Sequence, residues 1–174
     1  MLYFAYGSNM LTERIRARVP SATPRTSARL PGRTLRFDKR STDGSGKCTL
    51  LDAGPESTVY GVLFEVAPDE LTALDEAEHR GRGYERCQVR PRTPDGTCNA
   101  FAYVAQPAYL DDSLVPYGWY KALVAAGARQ HNLPDAYQTR LDAVRTYPDP
   151  NEHRRTKHRS LVSEAGYAHV WPSA

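Results

Sequence analysis

The segment Tyr3-Phe4-Ala5-Tyr6-Gly7-Ser8-Asn9 constrains the chain more than any other, because an apolar, aromatic run ends abruptly in a tight polar turn. Residues 10–19 then continue with the apolar spacing of a helix, for which Ser8 or Asn9 is the expected N-cap. A buried strand that breaks over Gly-Ser-Asn into a helix leaves the N–H groups around Tyr6, Gly7 and Ser8 without intrachain acceptors. Such a turn is suited to receive an oxygen that carries negative charge. The fold therefore needs a sheet interior lying directly beside a reachable turn.

Beyond the turn, strand and helix periods alternate. Residues 27–39 are expected to form one or two strands broken at Pro31-Gly32, residues 40–47 a glycine-rich loop, and residues 48–53 a short strand. Over 58–66, Tyr60, Val62, Phe64 and Val66 share one face, the period-two signature of a half-buried strand. Residues 67–79 switch to helical period. Strands over 84–92 and 97–106 flank the turn Pro94-Asp95-Gly96, and helices follow over 118–132 and 134–147, the second with Pro134 near its start. Roughly six strands in mostly antiparallel order with a few helices make an α+β domain on a small curled sheet or barrel. From Pro148 the chain is polar, and its residues are expected to pack on the surface through Val170 and Trp171.

A chain of 174 residues, 40% hydrophobic and 25% charged, suits one domain with a sizeable core, or one domain plus a tail. No apolar run approaches the ~20 residues of a membrane span. No basic leader precedes the first strand, so a cytoplasmic location is expected. Cys48, Cys87 and Cys98 are an odd set without metal-ligand spacing, which points to neither a disulfide framework nor a zinc site. The net charge of +3 is too small to imply nucleic acid, and the basic cluster over 153–159 is expected to be a solvated surface without interleaved aromatics.

One carboxylate falls in an unusual place. In the helix over 67–79, Leu71 and Leu74 define an apolar stripe at about 100° per residue, and Glu78 lies in the middle of that stripe. Asp75 lies on its edge and Glu76 points away from it. Either the helix ends at Ala77 and leaves Glu78 exposed before Gly81, or Glu78 is a desolvated carboxylate poised as a general base. Tyr120 raises a similar question in the later helix, where Tyr120, Leu123, Val124 and Gly127 share one face and the tyrosine hydroxyl needs an inward partner. Tyr84, Phe101 and Tyr103 carry the same ambiguity on their strands.

Other chemistries fit poorly. Ser8 lacks a nucleophile-elbow setting, and His79 has no second metal ligand at helical spacing. Cys87 and Cys98, both placed in strands without an adjacent histidine, suit small buried hydrophobes. Gly44-Ser45-Gly46-Lys47 lacks the first glycine, the following hydroxyl and the helix of a phosphate loop.

Three segments together, Tyr3-Phe4-Ala5-Tyr6-Gly7-Ser8-Asn9 onward, Leu74-Asp75-Glu76-Ala77-Glu78, and residues 127–144, resemble the γ-glutamylcyclotransferase family across residues 2–147. The resemblance implies that family's small mixed β-barrel with flanking helices, with residues 1–147 as the domain and 148–174 as an extension without a counterpart. It also implies cleavage of a γ-glutamyl amide by the glutamyl α-amine, giving 5-oxoproline and a free amine, with no metal or organic cofactor. Glu78 matches the catalytic glutamate, and Tyr3, Phe4, Ala5, Tyr6, Gly7 and Ser8 match the substrate cradle. Tyr84, Tyr120 and Tyr103 (with Phe101 as the alternative) match substrate-reaching tyrosines. After Glu78 the chain departs from the family pattern as His79-Arg80-Gly81-Arg82-Gly83, which bears on the leaving group. γ-Glutamylamines, γ-glutamyl-protected intermediates and a non-catalytic binding role on the same fold are the alternatives. The implied partner is a small γ-glutamyl compound, with no nucleic acid or membrane, and a homodimer is left open.

Overall fold

A computed structural model describes residues 1–172. The first strand, β1 (Leu2–Ala5), is apolar and almost wholly buried. It leads into a single 3-10 turn at Ser8–Met10 and then a short helix, α1 (Thr12–Arg16). The continuous helix expected over 10–19 is thus split, because Leu11 adopts an extended backbone (φ −70°, ψ 117°) between the two pieces. No side chain caps either piece, so Ser8 and Asn9 are released from the capping role expected of them.

Strands β2 (Thr23–Pro31) and β3 (Arg33–Arg40) part at Gly32, whose φ of +71° makes the sharp turn. They join different sheets. β3 pairs with β4 (Gly46–Asp52) in a two-stranded ribbon, while β2 pairs with β5 (Thr58–Glu65). β5 is buried on both faces from Gly61 to Phe64, with Val59 and Leu63 as enclosed as Val62. The half-buried reading fails because Val59 and Leu63, on the opposite alternation from Tyr60, Val62 and Phe64, also pack in the hydrophobic core.

Helix α2 (Leu71–Ala77) carries the chain to β6 (Tyr84–Val89). The two-residue strands β7 (Arg92–Thr93) and β8 (Gly96–Thr97) make a small hairpin, and β9 (Ala100–Ala105) follows. The strand expected over 97–106 is interrupted, and Cys98 lies in the connection rather than in a strand. The main sheet has seven strands in the order β6-β9-β1-β5-β2-β7-β8. All its pairings are antiparallel except β1 with β9. It forms a curled, mixed half-barrel with helices alongside.

Helix α3 (Gly118–Gln130) is buried at Gly118–Tyr120 and along Ala122–Ala128, so it is enclosed nearly all round rather than on one face. It packs on the 3-10 turn, on α4 (Asp135–Asp142) and on α5 (Glu152–Glu164). Gly127 sets its closest approach: a Cβ there would lie 2.5 Å from the Leu11 amide nitrogen and 2.6 Å from Met10 Cβ. α4 stops at Asp142, short of the expected 147, and Tyr147 instead bridges to Tyr117.

The basic cluster of residues 153–159 lies within α5. Asn151 caps this helix by accepting from the Arg154 amide at 2.9 Å, and Val162 is fully buried. His158 stacks on Trp119 with ring centroids 4.1 Å apart, and Val170 and Trp171 pack against the core. Residues 148–172 are therefore built onto α3, while residues 173 and 174 of the expected extension lie outside the described residues. Among the described residues no helix is long and apolar enough to cross a membrane.

Candidate active site

The fold brings six elements of the chain, counting β1 with the turn after it as one, around one narrow cavity. Tyr3 comes from β1, and Tyr6, Gly7, Ser8 and Asn9 come from the turn that follows it. Cys48 lies on β4, Glu78 at the end of α2, Tyr84 and Tyr103 on β6 and β9, and Tyr120 in the first turn of α3. The turn spends Met10 N on Gly7 O (3.0 Å) and Leu11 N on Ser8 O (3.4 Å). Its earlier amides, at Gly7, Ser8 and Asn9, are not consumed by it.

Glu78 is held inside although its helix has ended. Its backbone (φ −91°, ψ 1°) forms the C-cap of α2, as in the reading that would have left it exposed, yet its side chain is only 14% exposed. Two donors account for this. Asn9 Nδ2 donates to Glu78 Oε1 at 2.9 Å, and Arg18 Nη1 donates to the same oxygen at 2.5 Å. Arg18 also donates to Asn9 Oδ1 at 3.0 Å, which closes a triangle of Asn9, Arg18 and Glu78. Among the described residues no donor engages Oε2. His79, at φ +53°, then turns the chain outward.

The tyrosines form a rigid frame. Tyr84 Oη donates to Cys48 O at 2.6 Å, and the Cys48 amide donates to Tyr120 Oη at 3.1 Å, so two rings grip one residue of β4. Tyr6 donates to the Tyr103 carbonyl, and Tyr103 Oη donates to Asp75 Oδ1 at 2.6 Å. Asp75 also pairs with Arg80 at 3.0 Å and Arg86 at 3.3 Å. Tyr3 and Tyr120 each accept a hydrogen bond from a protein N–H, which leaves their own O–H protons for a ligand. Burial raises all five tyrosines above the usual phenol range, so they act as neutral donors. Burial also pushes the Cys48 thiol up to about 12, which leaves it inert as a nucleophile.

Arg14 completes the wall behind the turn. Its Nε donates to Ser8 Oγ at 2.9 Å, and no carboxylate pairs with it among the described residues. Burial, with Arg18 adding, lowers its proton affinity, but a guanidinium stays charged at neutral pH.

Residues 3–122 match the family described as gamma-glutamyl cyclotransferase, AIG2-like. The chain belongs to the γ-glutamylcyclotransferase family. It is 34% identical over 161 residues to the gamma-glutamylcyclotransferase of Mus musculus, covering 88% of this chain and 81% of that one. The corresponding protein of Homo sapiens is 34% identical over 160 residues, covering 87% and 80%. A solved gamma-glutamyl cyclotransferase structure superposes with a TM-score of 0.83 at 29% identity, covering 94% of this chain and 98% of its own.

Among the residues that the family resemblance selected, Tyr3, Tyr6, Gly7, Ser8, Glu78, Tyr84, Tyr103 and Tyr120 meet at the cavity. Phe4 and Ala5 do not line it. Phe4 packs against Gly61, where a Cβ would lie 2.8 Å from its ring, and Ala5 stays within the sheet. Of the alternatives Tyr103 and Phe101, only Tyr103 lines the cavity, while Phe101 stacks on Tyr3 at 5.3 Å. Sequence reasoning missed Arg14 and Arg18, read Asn9 as a candidate N-cap, and placed Asp75 only at the edge of the apolar stripe. The available signal was the spacing of Arg14 and Arg18, four apart in the segment that follows the turn.

Proposed function

We propose that this cyclotransferase cleaves a γ-glutamyl amide to 5-oxoproline and a free amine, with Glu78 moving the protons. The observation that carries this reading is the shielded Glu78 carboxylate, which has Oε1 anchored by Asn9 and Arg18 and Oε2 uncommitted beside the Gly7-Ser8 turn. Anchoring one oxygen fixes where the other receives and returns a proton.

The glutamyl α-nitrogen begins as an ammonium and ends as the lactam N–H, so it loses two protons. It attacks the γ-amide carbon, the bond from that carbon to the departing nitrogen breaks, and the departing nitrogen gains two protons. Glu78 relays both, acting alternately as base and acid, so no net proton is released. Such a positioned group contributes typically ~10²–10⁴-fold in rate. The attack is intramolecular, so the tyrosine frame acts mainly by holding the glutamyl chain folded toward closure, a factor worth up to ~7–11 kcal/mol in ideal cases.

The turn amides and the Arg14 guanidinium suit the substrate's α-carboxylate, and the free hydroxyl protons of Tyr3 and Tyr120 suit the oxygen of the tetrahedral intermediate. The cavity volume is only ≈ 30 Å³, so binding has to part the side chains at its rim. The test follows 5-oxoproline by mass spectrometry for wild type and Glu78→Gln with a γ-glutamyl dipeptide. Wild type is expected to release it, and the variant to bind the dipeptide calorimetrically without turnover. Retained turnover in the variant removes Glu78 from the mechanism.

A further inference from the structure

Four charged residues are buried among the described residues: Asp38, Lys39, Lys47 and Asp149. Asp38 pairs with Arg36 at 3.2 Å, Lys47 with Asp43 at 2.8 Å, and Asp149 with Arg154. Lys39 is 6% exposed, and no acceptor engages its Nζ among the described residues. The ammonium sits 4.7 Å from the centroid of the Tyr84 ring, and Tyr84 is a wall of the cavity.

The loop after Glu78 is shaped around this ammonium. A Cβ on Gly83 would lie 2.8 Å from Lys39 Cε and 2.9 Å from Nζ, so the missing side chain leaves the space that the lysine tip occupies. Gly83 holds φ +144° and is tied on both sides to Gln106: its amide donates to Gln106 Oε1 at 3.2 Å, and its carbonyl accepts from the Gln106 amide at 3.0 Å. Burial lowers the proton affinity of Lys39, and the Glu78 and Asp43 carboxylates oppose that.

The neighbouring cations are otherwise disposed. Arg18 is paired with Glu78, Arg80 with Asp75 and Glu85, and Arg82 is exposed to solvent. A γ-glutamyl amino acid carries two carboxylates, one on the glutamyl group and one on the leaving group. Arg14 and the turn provide for the first, and Lys39, over the ring of the cavity-lining Tyr84, is the remaining buried cation with no carboxylate partner among the described residues. We propose that Lys39 receives the carboxylate of the leaving amino acid, so that the enzyme selects γ-glutamyl amino acids over γ-glutamylamines, which lack it. This inference rests on the reaction proposed above.

The experiment compares γ-glutamylalanine with γ-glutamylethylamide, which differ only in that carboxylate, for wild type and Lys39→Met. Methionine keeps the apolar stem over Tyr84 and removes the charge. Wild type is expected to prefer γ-glutamylalanine, and the variant to reduce the ratio of the two kcat/KM values by ~10-fold or more, chiefly through KM for γ-glutamylalanine. A parallel loss on both substrates would make Lys39 a structural residue or a reader of the glutamyl half, and an unchanged ratio would make it a bystander. Either result overturns the proposal. If wild type releases 5-oxoproline from neither compound, the reaction itself is misassigned and the assignment of Lys39 falls with it.

Discussion

Replacing Asp149 with Asn should loosen the attachment of α5 and remove a defined part of the acid sensitivity of the fold. The Asp149 side chain is fully buried. It accepts from Trp119 Nε1 at 2.7 Å, from the Asn151 amide at 2.8 Å, and from Arg154 through both Nη2 (2.7 Å) and Nε. Burial pushes its pKa up, but Arg154, the Asn151 amide and the indole N–H outweigh that and hold it at about 2, against an ordinary 3.8. One pKa step is worth about 1.36 kcal/mol, so the ceiling at neutral pH is ~2.4 kcal/mol. Arg154 is 31% exposed, and water screening of its charge brings the expected loss to ~1–2 kcal/mol. Because the folded pKa is depressed, this stabilisation is full above about 4 and fades as pH falls through about 2. Urea unfolding of wild type and Asp149→Asn at pH 7, 4 and 2.5 measures it. The difference should be largest at pH 7 and shrink at the lowest pH. A difference that is absent at pH 7, or that stays constant with pH, refutes the argument.

Other consequences are open to measurement. Burial pushes His158 down to about 3, so its contribution is present above the ordinary 6.5 and lost as pH falls toward 3; His158→Phe should keep the stack on Trp119 and flatten the stability profile in that window. Gly127→Ala should destabilise by ~1–3 kcal/mol in urea, since the Leu11 backbone cannot give way as a flexible side chain would; a more stable variant would mean that α3 can shift. Tyr120→Phe leaves the buried Cys48 amide unpaired, at a cost of ~1–3 kcal/mol, and should act on turnover mainly through KM. A large fall in kcat instead would mean that the Tyr120 proton serves the transition state.

The position of Glu78 marks the boundary between local and tertiary information. Helical periodicity put it on the apolar face of α2, but the helix stops one residue earlier, and by that criterion alone the side chain belongs in water. What draws it inward is Arg18 and Asn9, about sixty and seventy positions away in the chain, and no window along α2 contains them. The basic cluster over 153–159 was legible only in part, for a related reason. Its charges are real and mostly solvated, but Val162, the His158 stack and the Asp149 network give the same segment an inward side that depends on α3 being present.

The sequence by itself determined the elements whose signals are local: the buried first strand breaking at Gly7, the turn at Gly32 and the core helix over Gly118–Gln130. These follow from side-chain period and backbone freedom, which neighbouring residues carry. Only the tertiary structure decided that β5 is covered on both faces, which tyrosine reached the cavity, and that Lys39 is buried without a carboxylate partner among the described residues. Those outcomes depend on how far the sheet curls, a property of seven strands packed together and of no single one.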